Sequence, residues 1–389
     1  MTKAETPSPD GARTRILLVG AGHANVHVLE AFGKRPEASV ELTLVTPHER
    51  TPYSGSLPGY LAGFYSIEEM TIDAKGLAGF AGADLHLQKV AMIDPRARLA
   101  RLDDGTCLAF DILALDIGSE PGMGGARTGV PVKPIDRFAT SVDALLQETK
   151  EGSGPFRLAI VGTGAAGVEL AFAFAARLPA AIGPRPFQLT LIGEANEILP
   201  DRAPRTRRRL TERLAEKNIG LVLGARVART LPDRLMLENG AVIGADAIVW
   251  ATTSAAQGWL RETGLELDAT GFVRVDAMLR SRSHPHIFAA GDVASLPDPR
   301  PKAGVFAVRE GPVLATNLRR LARGEALETF APQKDWLNLL STGDGRAVAD
   351  KWGVSLEGRW IWHWKDWNDR RFVERFNRLA AQGRRAHRG

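Results

Sequence analysis

The run LLVGAGHANVHVL places Gly20 and Gly22 between an apolar stretch, Thr14–Val19, and a helical pattern over about residues 23–32. The same arrangement returns in AIVGTGAAGVELAFAF, where Gly162, Gly164 and Gly167 follow the apolar stretch Arg157–Val161. A strand that feeds a glycine turn and then a helix leaves few folds open. The first glycine permits the tight turn, the second lets a phosphate approach the backbone, and the third allows close helix–strand packing. The N–H groups and dipole of the helix start then favour an anion. Each unit is completed by another apolar run, Val40–Val45 or Phe187–Ile192, so each is a βαβ unit. The chain is therefore predicted to be α/β, with two nested Rossmann-like dinucleotide-binding domains and a distinct C-terminal segment.

Each unit departs from the full pattern. In the first, Asn25 stands where the third glycine is usual, and the second strand ends Val45-Thr46 where an acid would grip a ribose. Thr46 offers one hydrogen bond in place of a carboxylate. In the second, the strand ends Ile192-Gly193-Glu194, with the acid one residue late. Glu194 on a ribose 2′-hydroxyl favours NADH. Arg202, Arg205, Arg207, Arg208 and Arg209 on a 2′-phosphate favour NADPH, or else line a solvated helix. The choice stays open.

Short strands with turns are predicted over about 84–116, a helix near 136–150, a helix Val168–Leu178 ended by Pro179, and a strand Ile287–Ala290 running into Gly291-Asp292. The expected division is a disordered segment 1–13, a first dinucleotide domain from 14–137 and 276–330, a second from 138–275, and a C-terminal region 331–389. No apolar run approaches the ~18–20 residues of a membrane span, and the first residues lack the apolar core of a secretory signal. Cys107 is the single cysteine. That excludes an internal disulfide, a catalytic dithiol and a multi-cysteine metal site, and no metal is expected.

Together the motifs resemble the pyridine nucleotide–disulfide oxidoreductase superfamily. LLVGAGHANV is similar to its FAD pyrophosphate turn, VGTGAAGVELA to its NAD(P)H turn, and HPHIFAAGDVASL to its second FAD motif. LTLVTPHERTPYSGSLPGYLAG resembles type II NADH dehydrogenases and sulfide:quinone oxidoreductases. DILALDIGSEP, VPVKPIDRF and PKAGVFAVREGPVLATNL resemble a flavoprotein module found alone or fused ahead of selenophosphate synthetase. The resemblance implies FAD held by Gly20, Gly22, His23, Asn25, Thr46, Ser54, Gly118, Gly291, Asp292, Ala303 and Gly304. It implies NAD(P)H at Gly162, Gly164, Gly167 and Glu194. Asp292 would take a ribityl hydroxyl. The helix after Ala303, reinforced by Lys302, would stabilise charge developing on the flavin. Glu169 would stand near the nicotinamide and shuttle protons, or else be a solvated acid on a first helical turn. His23 would either stack near the cofactor or cap its helix.

Where disulfide reductases of this superfamily carry redox cysteines, the chain has Tyr53-Ser54-Gly55-Ser56. Electrons must then leave the flavin directly, and a flat, apolar quinone suits such an exit. The expected activity is an FAD-dependent NAD(P)H:quinone oxidoreductase. The alternatives are a soluble reductase serving selenium or sulfur metabolism and a non-enzymatic FAD-binding sensor. Residues 359–389 hold nine Lys/Arg against three acids, a net +6 that leaves −1 for the rest of the chain. Trp360, Trp362 and Trp364 follow a strand period, and a helical period is read from Asp366 onward, with Trp367, Phe372, Val373, Phe376 and Ala380 broadly on one side. An amphipathic Trp/Arg helix predicts either peripheral membrane contact, on the inner face of the plasma membrane of an otherwise cytoplasmic protein, or a cap on the core. No nucleic-acid partner is expected, and a homodimer is compatible with the resemblance.

Overall fold

The computed structural model describes residues 13–122, 128–148 and 154–386. The segment expected to be disordered, 1–13, lies outside them except for Arg13. Two five-stranded parallel sheets organise the chain. The first runs Ile287–Ala289, Ile112–Leu115, Thr14–Val19, Val40–Val45, Asp84–His86 in space. The second runs Val130–Pro131, Ala247–Trp250, Phe156–Val161, Phe187–Ile192, Ile219–Val222. In both, chain order reverses at the strand that feeds the glycine turn. That switch point is where open α/β sheets bind ligands. Ile16, Leu17, Leu18 and Val19 are all buried, the mark of a strand covered on both faces.

Helix α1 (Asn25–Lys34) follows the first turn, and α2 (Ala74–Ala81) packs beside it. Helix α3 (Ala165–Ile182) follows the second turn and continues through Pro179, where the sequence predicted its end. One missing N–H removes one hydrogen bond, and the buried Leu178 and Ile182 hold the last turn in place. Among the described residues α3 alone is long and apolar enough to cross a membrane. Its apolarity is that of a core helix, with Val168, Leu170, Phe172 and Phe174 fully enclosed. The chain crosses between the domains on a two-stranded ribbon, Glu120–Pro121 against Ser254–Ala255. Val130–Pro131 already belongs to the second sheet. Helix α4 (Gly304–Ala322) returns to pack on α1, within the first core.

The C-terminal region ties the two domains together. An antiparallel sheet, Asn338–Ser341, Ala347–Lys351 and Val354–Gly358, sets Leu340 and Val348 into the core around Phe172 and Phe174 of α3. Helix α5 (Arg359–Ala386) then packs on the first domain, with Val373, Phe376 and Ala380 against Leu77 and Ala78 of α2. The tryptophans predicted to lie on a strand are helical. Trp362 packs on Phe64, ring centroids 4.7 Å apart, while Trp360 and Trp364 share the outer face. Residues 360 and 364 fit a two-residue period and a helical i, i+4 pair equally well, which is why the sequence misled.

Candidate active site

The first turn is built around a buried carboxyl. Gly20 has φ +86°, and a Cβ there would lie 2.3 Å from the Asp116 carbonyl oxygen. A Cβ on Gly22 would lie 2.3 Å from Asp116 Oδ1. Asp116 accepts from the Ala24 and Asn25 amides at 2.7 and 2.9 Å. Asn25, in the usual glycine position, closes the turn from inside, its Nδ2 donating to the Gly20 carbonyl at 2.7 Å. The amides of Gly22 and His23 have no protein acceptor among the described residues, as an anion site at a helix start requires. Thr46 is buried just beyond its strand, beside the turn.

Around this turn the structure gathers most of the residues expected to hold FAD. Ser54 and His23 both approach Gly304 at the start of α4. His23 Nε2 is buried without a partner, and burial lowers its pKa to about 4. A buried, unpartnered nitrogen facing a helix start fits a cofactor edge. Gly291 (φ +71°) meets Asp116 from the other side, and its amide donates to Glu310 at 2.5 Å. Asp116 and Glu310 are both driven up to about 7, by burial first. Neither acid stands out in the sequence beyond its place at the end of a strand or inside a helix. Ser119, just past Gly118, donates to Asp292 at 2.9 Å. Lys302 lines the same cleft as Gly291 and Asp292, but its ammonium is already engaged. Its ammonium lies 4.0 Å over the Phe272 ring and donates to the Ala294 carbonyl.

The second turn has a more open face. Gly162 (φ +121°) and Gly167 are held by backbone, since their Cβ atoms would fall 2.2 Å from the Ala251 carbonyl oxygen and 1.8 Å from that of Gly162. A Cβ on Gly164 would meet nothing within 4 Å. The Thr163 and Gly164 amides have no protein acceptor among the described residues. Glu194 is exposed and pairs with Arg226 at 2.9 Å. Of the arginine run, Arg202, Arg207 and Arg209 pair with Asp201, Glu197 and Glu357.

Between the turns, α5 brings groups that sequence reasoning missed up to the predicted Glu169 of α3. Glu169 is partly buried, and Oε1 accepts from the Ser341 amide at 2.8 Å. Burial raises it to about 7, with Lys365 working the other way. Lys365 is buried and donates to the Gly55 carbonyl at 2.7 Å and to Asp369 at 2.8 Å. Burial opposes its charge, but Asp369 and Glu169 outweigh that and hold it above the ordinary lysine range. Tyr53 stacks on Phe372 at 4.5 Å, completing a wall from α5. In the sequence Lys365 counted only as one more basic residue of the tail. Cys107 lies exposed on the strand Cys107–Ala109 of a separate antiparallel sheet.

Residues 14–311 match the family described as pyridine nucleotide-disulphide oxidoreductase, and the chain belongs to that family. It is 29% identical over 348 residues to the ferredoxin–NAD(+) reductase component of the p-cumate 2,3-dioxygenase system of Pseudomonas putida, covering 85% of this chain and 81% of that one. It is 26% identical to an NADH dehydrogenase-like protein of Mycobacterium tuberculosis, covering 72% and 73%. The sulfide:quinone oxidoreductase structure of Aquifex aeolicus superposes with a TM-score of 0.79 at 16% identity, over 94% of this chain and 92% of that one. The protein is an FAD- and NAD(P)H-using oxidoreductase with two dinucleotide-binding domains.

Proposed function

We propose that the protein passes electrons from NAD(P)H through FAD directly to a quinone at a membrane surface. The carrying observation is the outer face of α5. Trp360, Trp364 and Trp367 are 56%, 40% and 52% exposed. At 100° per residue, Arg371, Arg378 and Arg385 continue the same line, and all three are exposed. Aromatic rings followed by cations along one stripe suit the interface of an anionic bilayer. The tail's +6 is not all available for this. Lys365, Arg370, Arg375 and Arg384 pair with Asp369, Glu69, Glu30 and Asp73. The helix thus caps the core with one face and presents the stripe with the other.

If ~100 Å² of each ring enters the interface, each contributes about 2.5 kcal/mol. The variant with Trp360, Trp364 and Trp367 all changed to serine is expected to lose at least about a hundredfold in binding to anionic liposomes while staying folded and yellow. Equal sedimentation of parent and variant would sink the membrane reading. The relatives favour a second acceptor, a ferredoxin, since the P. putida protein is named a ferredoxin reductase. The same stripe would then meet an acidic protein, and the triple variant would lose ferredoxin reduction while the parent ignored liposomes.

FAD, held by the turn around Gly20 and Gly22 and by Asp292, would supply hydride acceptance and onward electron transfer when bound. NAD(P)H, a quinone and one proton give NAD(P)+ and quinol, so each turnover takes a proton from the medium. We assign that proton to Glu169, a reading supported by its pKa near 7 and by the charge of Lys365 nearby. A carboxyl raised to about 7 is protonated below that pH and loses its proton above it. Quinone turnover is therefore expected to fall as pH rises through about 7. In Glu169→Gln the step should vanish, leaving a flat, slower profile. An unchanged step in that variant would assign the proton to another group.

A further inference from the structure

Asp292 is held on one side only. Its Oδ2 accepts from Lys133 Nζ at 2.5 Å and from Ser119 Oγ at 2.9 Å. Its Oδ1 has no protein donor among the described residues. The same ammonium donates to Ser119 Oγ at 2.9 Å and to Ser254 Oγ at 3.1 Å. Lys133 follows Val130–Pro131, the edge strand of the second sheet, and Ser254 lies on the ribbon that returns from that domain. Three segments thus converge on one carboxylate of the first domain. Around them stand Asp116, Glu310, Asp268, Lys302 and His23. Among these groups Lys133 is the cation that hydrogen-bonds Asp292 directly.

We propose that Lys133, reaching over from the second dinucleotide domain, is a positioning residue for FAD: it neutralises Asp292, pins Oδ2 and leaves Oδ1 to accept a cofactor hydroxyl. The proposal rests on the reading of Asp292 as a flavin ligand. Burial works against the Asp292 charge, but Lys133 outweighs it and draws the pKa below the ordinary carboxylate range. Without the ammonium that protection ends, so the carboxylate should take up a proton at a higher pH. Retention of FAD should then depend on pH in a range where the parent is indifferent.

The test is FAD affinity, read from the fluorescence of released flavin between pH 5 and 8. It uses the parent, Lys133→Gln, Lys133→Arg, Asp292→Asn and the double variant Lys133→Gln/Asp292→Asn. Lys133→Gln is expected to weaken FAD at least about tenfold at pH 7 and to move the acid release midpoint up by about one pH unit or more. Lys133→Arg should recover most of both. The double variant should be little worse than Asp292→Asn alone, because the lysine acts through that carboxylate. Unchanged affinity and midpoint in Lys133→Gln, with Asp292→Asn impaired, would overturn the proposal, as would strictly additive losses in the double variant. Unchanged affinity in Asp292→Asn would instead overturn the reading of Asp292.

Discussion

Gly164→Val is expected to abolish flavin reduction by NAD(P)H and to leave FAD bound. Gly164 caps α3 with φ −74° and ψ −176°, extended backbone that any residue adopts. A Cβ there meets nothing within 4 Å. The fold therefore tolerates the branch. The neighbouring glycines do not offer such a test, because side chains at Gly162 or Gly167 would strike backbone and unsettle the turn itself. What the valine does occupy is the space in front of the unpartnered Thr163 and Gly164 amides, where a pyrophosphate must approach. The NAD(P)H-dependent rate should fall at least about a thousandfold, ~4 kcal/mol. Dithionite should still bleach the flavin, and the circular dichroism spectrum should match that of the parent. Normal reduction by NAD(P)H would show that this turn is a structural corner and that the reductant enters elsewhere.

The two glycine turns were legible because their chemistry is local. A buried strand, a tight turn and a helix start occupy a dozen consecutive residues, and no distant contact is needed to read them. The strands Thr14–Val19 and Val40–Val45 fall where the apolar runs place them. The missed residues act across the chain. Asp116 supports Gly20 and Gly22 from a different strand, and Lys133 reaches Asp292 from the other domain. Lys365 bonds Gly55 and feels the charge of Glu169 only because α5 folds back onto the first domain. A signal was available in two of the three cases: a polar residue at the end of an otherwise apolar strand for Asp116, and an acid four residues away at Asp369 for Lys365. Neither says which distant group it serves. The tail shows the same limit. Its composition announced an amphipathic helix, but only the tertiary structure separates the arginines paired with Glu30, Glu69 and Asp73 from those left on the outer stripe.

Because one face of α5 belongs to the core, a chain cut before residue 359 loses more than an anchor. Deleting α5 would uncover the core around Leu77 and Ala78, remove the buried Ile361, Val373, Phe376 and Ala380, and leave the buried carboxylates of Glu30 and Asp73 without their arginines. The truncated protein is expected to be insoluble or flavin-free. A single substitution tests the same contact more sharply. Helices α2 and α5 cross at small residues: a Cβ on Gly383 would fall 2.2 Å from both the Gly76 carbonyl oxygen and the Phe80 amide nitrogen. A Cβ on Gly76 would fall 2.9 Å from the Ala380 Cβ. The obstacle is backbone on a packed helix, so it cannot move aside as a side chain would. Gly383→Leu must push the helices apart, at a cost of about 3 kcal/mol or more. For a chain of this size, with an unfolding entropy of ~2.1 cal/mol/K per residue, that lowers Tm by about 4 °C or more. Gln382→Leu, one residue away on the exposed face, should shift it by less than about 2 °C. Flavin release should track the Gly383→Leu transition, because α5 also supplies Phe372 and Lys365 to the wall of the site. If Gly383→Leu melted with the parent, α5 would be a detachable tail and the anchor its whole purpose.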